Sequence, residues 1–137
     1  MKTQKAFVAY RHTGEDPEVL NKQMNAVRKG LEKAGLDFHC TYFEEDEFQD
    51  RKMSARQIME HAFETLDSCT FLLVILSSEE KNEGMLMEIG YCIAKKIPIV
   101  VVIASDVKTT YVPQMANTVI EWQTYSELET QLAELTI

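Results

Sequence analysis

A chain of 137 residues, 45% hydrophobic and 26% charged, holds one domain built on one core. Its formal net charge of −8 repels phosphate backbones, so nucleic-acid polymers are excluded as partners while a small nucleotide at a helix N-terminus is not. No apolar run nears the ~20 residues that span a bilayer, and no apolar leader precedes the first strand, so no membrane association is expected.

Ala6-Phe7-Val8-Ala9-Tyr10 reads as the first strand, followed by the polar loop Arg11-His12-Thr13-Gly14-Glu15. Asp16 is placed to cap a helix with Pro17 at its first position. Leu20, Met24, Val27 and Leu31 share one face of it, and Gly35 suits a left-handed stop. Leu36, Phe38, Cys40 and Tyr42 alternate with polar neighbours, which predicts an outer strand with His39 on the surface. The acidic stretch Glu44-Glu45-Asp46-Glu47 with Asp50 reads as a mobile, solvated loop, since it lacks the spacing of a calcium site.

Ser54 and Gln57 form a capping box opening a helix that turns Ile58, Ala62 and Leu66 inward. His61, in the middle of that helix, reads as structural unless it takes the place of an acid. Phe71-Leu72-Leu73-Val74-Ile75-Leu76 is apolar throughout, as a central parallel strand should be. The next helix carries Ile89, Cys92 and Ile93 as its inner face and ends at Lys95-Lys96, where the dipole favours cations. Ile99 to Ile103 is the fourth strand and Thr118 to Trp122 the fifth. Ser126 with Glu129 predicts a capping box for the last helix, lined by Leu128, Leu132 and Leu135.

This alternation predicts an α/β fold: a flavodoxin-like three-layer α/β/α domain over residues 1–137. Its parallel sheet has five strands in the order 2-1-3-4-5. The three cysteines, Cys40, Cys69 and Cys92, are expected as buried thiols in a reducing cytoplasm. No CxxC pair or HExxH pattern points to zinc.

In that strand order the loops after Tyr10 and after Leu76 meet at the switch point, where open α/β sheets bind ligands. Tyr10, Arg11 and His12 then lie beside Asn82, Gly84 and Glu88. Gly84 opens a path to the backbone, and Glu88 follows four residues later on the same helix. Such a carboxylate, held ionised by the positive helix end, suits attack on a sugar carbon. Each residue also has a plainer role. Asn82 can cap the helix, Gly84 can ease its first turn, and Tyr10 can be a core-edge aromatic. Arg11 and His12 meet a phosphate or base, or are merely solvated. Met85, Leu86 and Met87 exceed what one helix face can bury, which predicts an apolar pocket or a subunit contact.

Gly84-Met85-Leu86-Met87-Glu88-Ile89-Gly90-Tyr91, with Ala94 and Lys96-Ile97-Pro98-Ile99-Val100, resembles the signature of the nucleoside 2-deoxyribosyltransferase family. The likeness is sharp over about twenty residues around Glu88 and follows the element order along the chain. The resemblance implies cleavage of an N-glycosidic bond, with the sugar passed to another base or to water, and Glu88 as the nucleophile that forms a glycosyl-enzyme. It implies a nucleoside or nucleotide substrate, no cofactor or metal, and a homo-oligomer. Two positions depart from the pattern. Asn82 stands where the family has an acid or serine, and the family's acid on the preceding helix falls near Ala62, with Glu60, Glu64 or Asp67 as substitutes in a shifted alignment. Phe7-Val8-Ala9-Tyr10, Gly35, Leu76-Ser77 and Glu88-Ile89 are also similar to the TIR layout, which implies either cleavage of the N-glycosidic bond of NAD by a glutamate on this helix or a silent nucleotide-binding or assembly module.

Overall fold

A computed structural model of the protein describes residues 4–11, 14–43, 53–80 and 82–136. His12, the acidic stretch Glu44 to Glu47 and Asp50 lie outside the described residues. The elements run β1 (Lys5–Ala9), α1 (Pro17–Lys33), β2 (Asp37–Cys40), α2 (Ala55–Asp67), β3 (Phe71–Leu76), α3 (Glu83–Lys95), β4 (Ile99–Ala104), β5 (Thr118–Trp122) and α4 (Tyr125–Ala133). Short 3-10 turns occupy Thr41–Phe43 and Val112–Met115.

The five strands form one parallel sheet in the order β2-β1-β3-β4-β5, as expected. β3 and β4 are buried along their whole length, because helices cover both faces of a parallel sheet. The edge strand β5 exposes Val119. α1 and α4 pack together on one face, while α2 and α3 pack together on the other. Right-handed crossovers in this strand order require that division.

Local signals set the helix ends. The Asp16 carboxylate accepts the Glu18 and Val19 N–H groups, with Pro17 at the first helical position. Gly35 takes the left-handed conformation, with φ +73, just past α1. Ser54 and Gln57 make the predicted reciprocal capping box of α2. The cap of α4 falls two residues earlier than predicted. Thr124 accepts the Glu127 N–H, and Glu127 in turn accepts the Gln123 N–H. Ser126 and Glu129 have the right spacing, but Trp122 ends β5 and Thr124 is the first side chain able to turn the backbone into a helix.

Two inward assignments also fail. Ile58 is 37% exposed and Ile93 is 50% exposed, because α2 and α3 bury narrower stripes than their apolar residues would fill. The three cysteines are buried, with no disulfide among them. No helix among the described residues is long and apolar enough to cross a membrane.

Candidate active site

β1 and β3 lie side by side, and the chain leaves them in opposite directions along the sheet. The crevice between their carboxyl ends is the switch point. Asn82 stitches it together. Its Nδ2 donates to the Tyr10 carbonyl at 3.2 Å, and its Oδ1 accepts the Met85 N–H at 3.0 Å as the cap of α3. Both ends of the amide therefore hold protein: Asn82 caps its helix and also fixes the end of β1.

Beneath this stitch lies a cavity of about 160 Å³. β1 supplies an apolar floor of Phe7, Val8 and Ala9, while Tyr10, His39, His61, Asn82, Gly84 and Glu88 bring polar or open edges. Tyr10 is steadied by an edge-on contact with Tyr42 at 5.8 Å between ring centroids. An alanine Cβ at Gly84 would meet Asn82 Oδ1 at 3.5 Å and Met59 Sδ at 3.9 Å, both ordinary contacts. Packing does not demand a glycine there.

Glu88 is half-buried, and burial pushes its carboxyl up to about 8. The expectation of an acid kept ionised by the helix end is thereby corrected. Glu88 is the sixth residue of α3, beyond the first turn where the dipole acts, and desolvation favours the neutral form. Cys92, one turn further on, is buried, and its thiol is pushed up to about 12 by burial first and the Glu88 charge second. It is no rival nucleophile.

A second hollow of about 270 Å³ lies beyond Asn82 and Met85, which wall both spaces; Ser78, Leu86 and Thr110 line it. Glu79 holds its rim by accepting the backbone N–H groups of Lys108 and Thr109. Met87 is 51% exposed and belongs to neither space. Arg11 is not among the residues lining either one. It pairs with Glu15 at 2.8 Å and with Glu80, which neutralises it. A wider hollow of about 600 Å³ covers the ends of β4 and β5. It is larger, but it does not contain the buried carboxyl.

The proposed substitutes for the missing acid are turned elsewhere. Glu60 pairs with Arg56 at 2.9 Å, Asp67 accepts from the Tyr91 hydroxyl at 2.6 Å, and Glu64 lines a shallow outer hollow with Glu60. Two histidines line the cavity instead. His39, expected on the surface, is half-buried with its ring 5.3 Å from that of Phe7 and 6.3 Å from that of His61. The strand order carried a signal for this: both faces of the sheet are covered, so a polar residue on β2 near its carboxyl end also faces a layer. Among the described residues no cluster of three or more His, Cys, Asp or Glu could hold a metal ion.

A family model described as nucleoside 2-deoxyribosyltransferase matches residues 15–127. No curated protein matches the sequence significantly. Among solved structures, the Clostridium botulinum CMP N-glycosidase BcmB is similar with a TM-score of 0.69 at 16% identity, over 94% of this chain and 97% of that one. A conserved protein from Enterococcus faecalis V583 is similar with a TM-score of 0.60 at 11% identity, over 97% and 99%. At such identities these two likenesses concern the fold.

Proposed function

Because the chain belongs to the nucleoside 2-deoxyribosyltransferase family, we propose that it breaks the N-glycosidic bond of a nucleoside or nucleotide and passes the sugar to another base or to water. Glu88 attacks C1′ and forms a glycosyl-enzyme, while Tyr10, Asn82, Gly84 and Met85 shape the sugar site. The observation that supports this most is the Glu88 carboxyl in a cavity at the switch point, shifted by burial alone. An acid shifted by desolvation and facing a cleft is what a functional site requires.

Its neutral resting state fits the chemistry. A carboxylate formed in a poorly solvated cavity interacts strongly with the positive charge that develops at C1′. The cavity of about 160 Å³ is small beside the ~300–1,000 Å³ of usual ligand sites. It matches one ring, and the second hollow across Asn82 and Met85 leaves room for the rest of a nucleotide.

The test is incubation with deoxynucleosides, deoxynucleotides, CMP and NAD, with free base resolved by chromatography. Base release that disappears in Glu88→Ala supports the reading. A neutral Glu88 also suits a TIR-like or catalytically silent module, and binding without release from any compound would favour that alternative.

A further inference from the structure

Cleavage of this bond needs a second group. A neutral base leaves as a poor anion unless a proton reaches its nitrogen as the bond breaks. Resting on the reading of Glu88 as nucleophile, we propose that His61 is the acid that protonates the departing base, and that His39 is the positioning residue that sets its ring.

Of the described polar side chains lining the cavity, the Thr41 hydroxyl and the Asn82 amide are very weak acids, and the Tyr10 phenol is a weaker one than an imidazolium. Imidazole is the side chain suited to that task. Of the two histidines, His39 has its Nε2 sealed from solvent, and its ring packs against those of Phe7 and His61. His61 instead borders two spaces: the cavity of Glu88 on one side, and on the other the outer hollow lined by Gln57, Glu60 and Glu64. A ring in that position can give a proton inward and recover one from outside.

The protons balance within the pair. The Glu88 carboxyl gives up its proton and the imidazole of His61 gains one, through solvent in the cavity. A Glu88 oxygen then bonds to C1′ as the C1′–N bond breaks, and the bonding pair passes to the base nitrogen. That nitrogen takes the proton from His61. The products are a glycosyl ester on Glu88, a neutral base and a neutral imidazole. In the return step His61 accepts the proton of the attacking water or base as the ester opens. The arrangement selects substrates whose bases require protonation to leave.

The test is a leaving-group series: 5-fluorouridine, uridine and 5-methyluridine, each in ribo and 2′-deoxy form with and without a 5′-phosphate, and nicotinamide riboside. Nicotinamide carries its positive charge already and departs without a proton. His61→Ala and His61→Gln are expected to lose about 10²–10⁴-fold in kcat/KM on the bases that need a proton. The loss shrinks along the series as the base becomes a better leaving group, and is within a few-fold for nicotinamide riboside. Melting curves of both variants check the fold. An equal loss on every member, or none, overturns the assignment of His61. If Glu88→Ala still cleaves, or the wild type cleaves nothing, the nucleophile reading falls and takes this inference with it. A dead Glu88→Ala beside a uniform His61→Ala sinks this inference alone.

Discussion

The two faces of the sheet are packed to different standards. On the α1/α4 face, Met24, Leu31, Leu128 and Leu132 have no solvent exposure, and the helices come so close that a Cβ on Gly30 would lie 2.7 Å from the Glu129 carbonyl oxygen and from Leu132 Cβ. On the α2/α3 face, Ile58 and Ile93 reach solvent, Gly84 has ordinary space around it, and a cavity separates the helices from β1. One face supplies stability. The other gives up packing to hold a carboxyl that water would otherwise solvate. Substitutions in the two layers should therefore separate folding from chemistry.

The largest expected effect is on the open face. Glu88→Ala removes the covalent route and should lower turnover by on the order of 10³-fold or more while the chain still folds. Steady-state release of free base measures it. Near-native turnover in that variant would make Glu88 a structural residue and leave the cavity without a reaction.

The tight face should answer in the opposite currency. Gly30→Ala drives a methyl into backbone and a Cβ, neither of which can swing aside. Overpacking of that kind costs about 1–3 kcal/mol, read as a lower urea midpoint. Turnover per folded molecule should not change. If Gly30→Ala slowed turnover without lowering stability, the layers would be coupled and the contrast between them would be wrong.

Strand order, the caps of α1 and α2, and the meeting of Tyr10 with Asn82, Gly84 and Glu88 were legible in the sequence, because periodicity, capping residues and crossover handedness are local or topological. What was illegible depends on depth. His39 alternates with Phe38 and Cys40 on an outer strand, so its polarity reads as outward until α2 is laid across that end of β2. His61 stays open between a structural residue and a stand-in for the missing acid, because one helix face cannot reveal what the neighbouring helix leaves empty. The charge on Glu88 was misjudged for the same reason: the dipole is visible in the sequence, but desolvation by a cavity wall is not.

Desolvation leads to a pH-dependent effect of definite sign. The folded Glu88 carboxyl titrates near 8, against an ordinary 4.5. Below about 4.5 it is neutral folded and unfolded, and costs nothing. Between the two values only the unfolded chain ionises, so stability falls as pH rises, and above about 8 the deficit is constant. Glutamine never ionises. Glu88→Gln should match the wild type near pH 4 and exceed it at pH 8–9 by up to about 4 kcal/mol, measured by thermal melts across pH. A gain in stability with a loss of turnover is what a site residue held against its solvation preference must show. A lower melting point at pH 8 would instead mean that the carboxylate has a stabilising partner.

The smallest effect tests where the site ends. Gly84 is the second residue of α3, and alanine is a better helix former by up to ~1 kcal/mol. Its Cβ meets Asn82 Oδ1 and Met59 Sδ at ordinary distances. Gly84→Ala should therefore hold or slightly raise stability, the reverse of Gly30→Ala on the tight face. The same methyl takes space from a cavity of only about 160 Å³. KM should rise by roughly 10-fold, the scale on which pockets resolve one carbon, with kcat much less changed. Unaltered KM would show that substrate never approaches this turn of backbone, and that Gly84 serves the start of its helix alone.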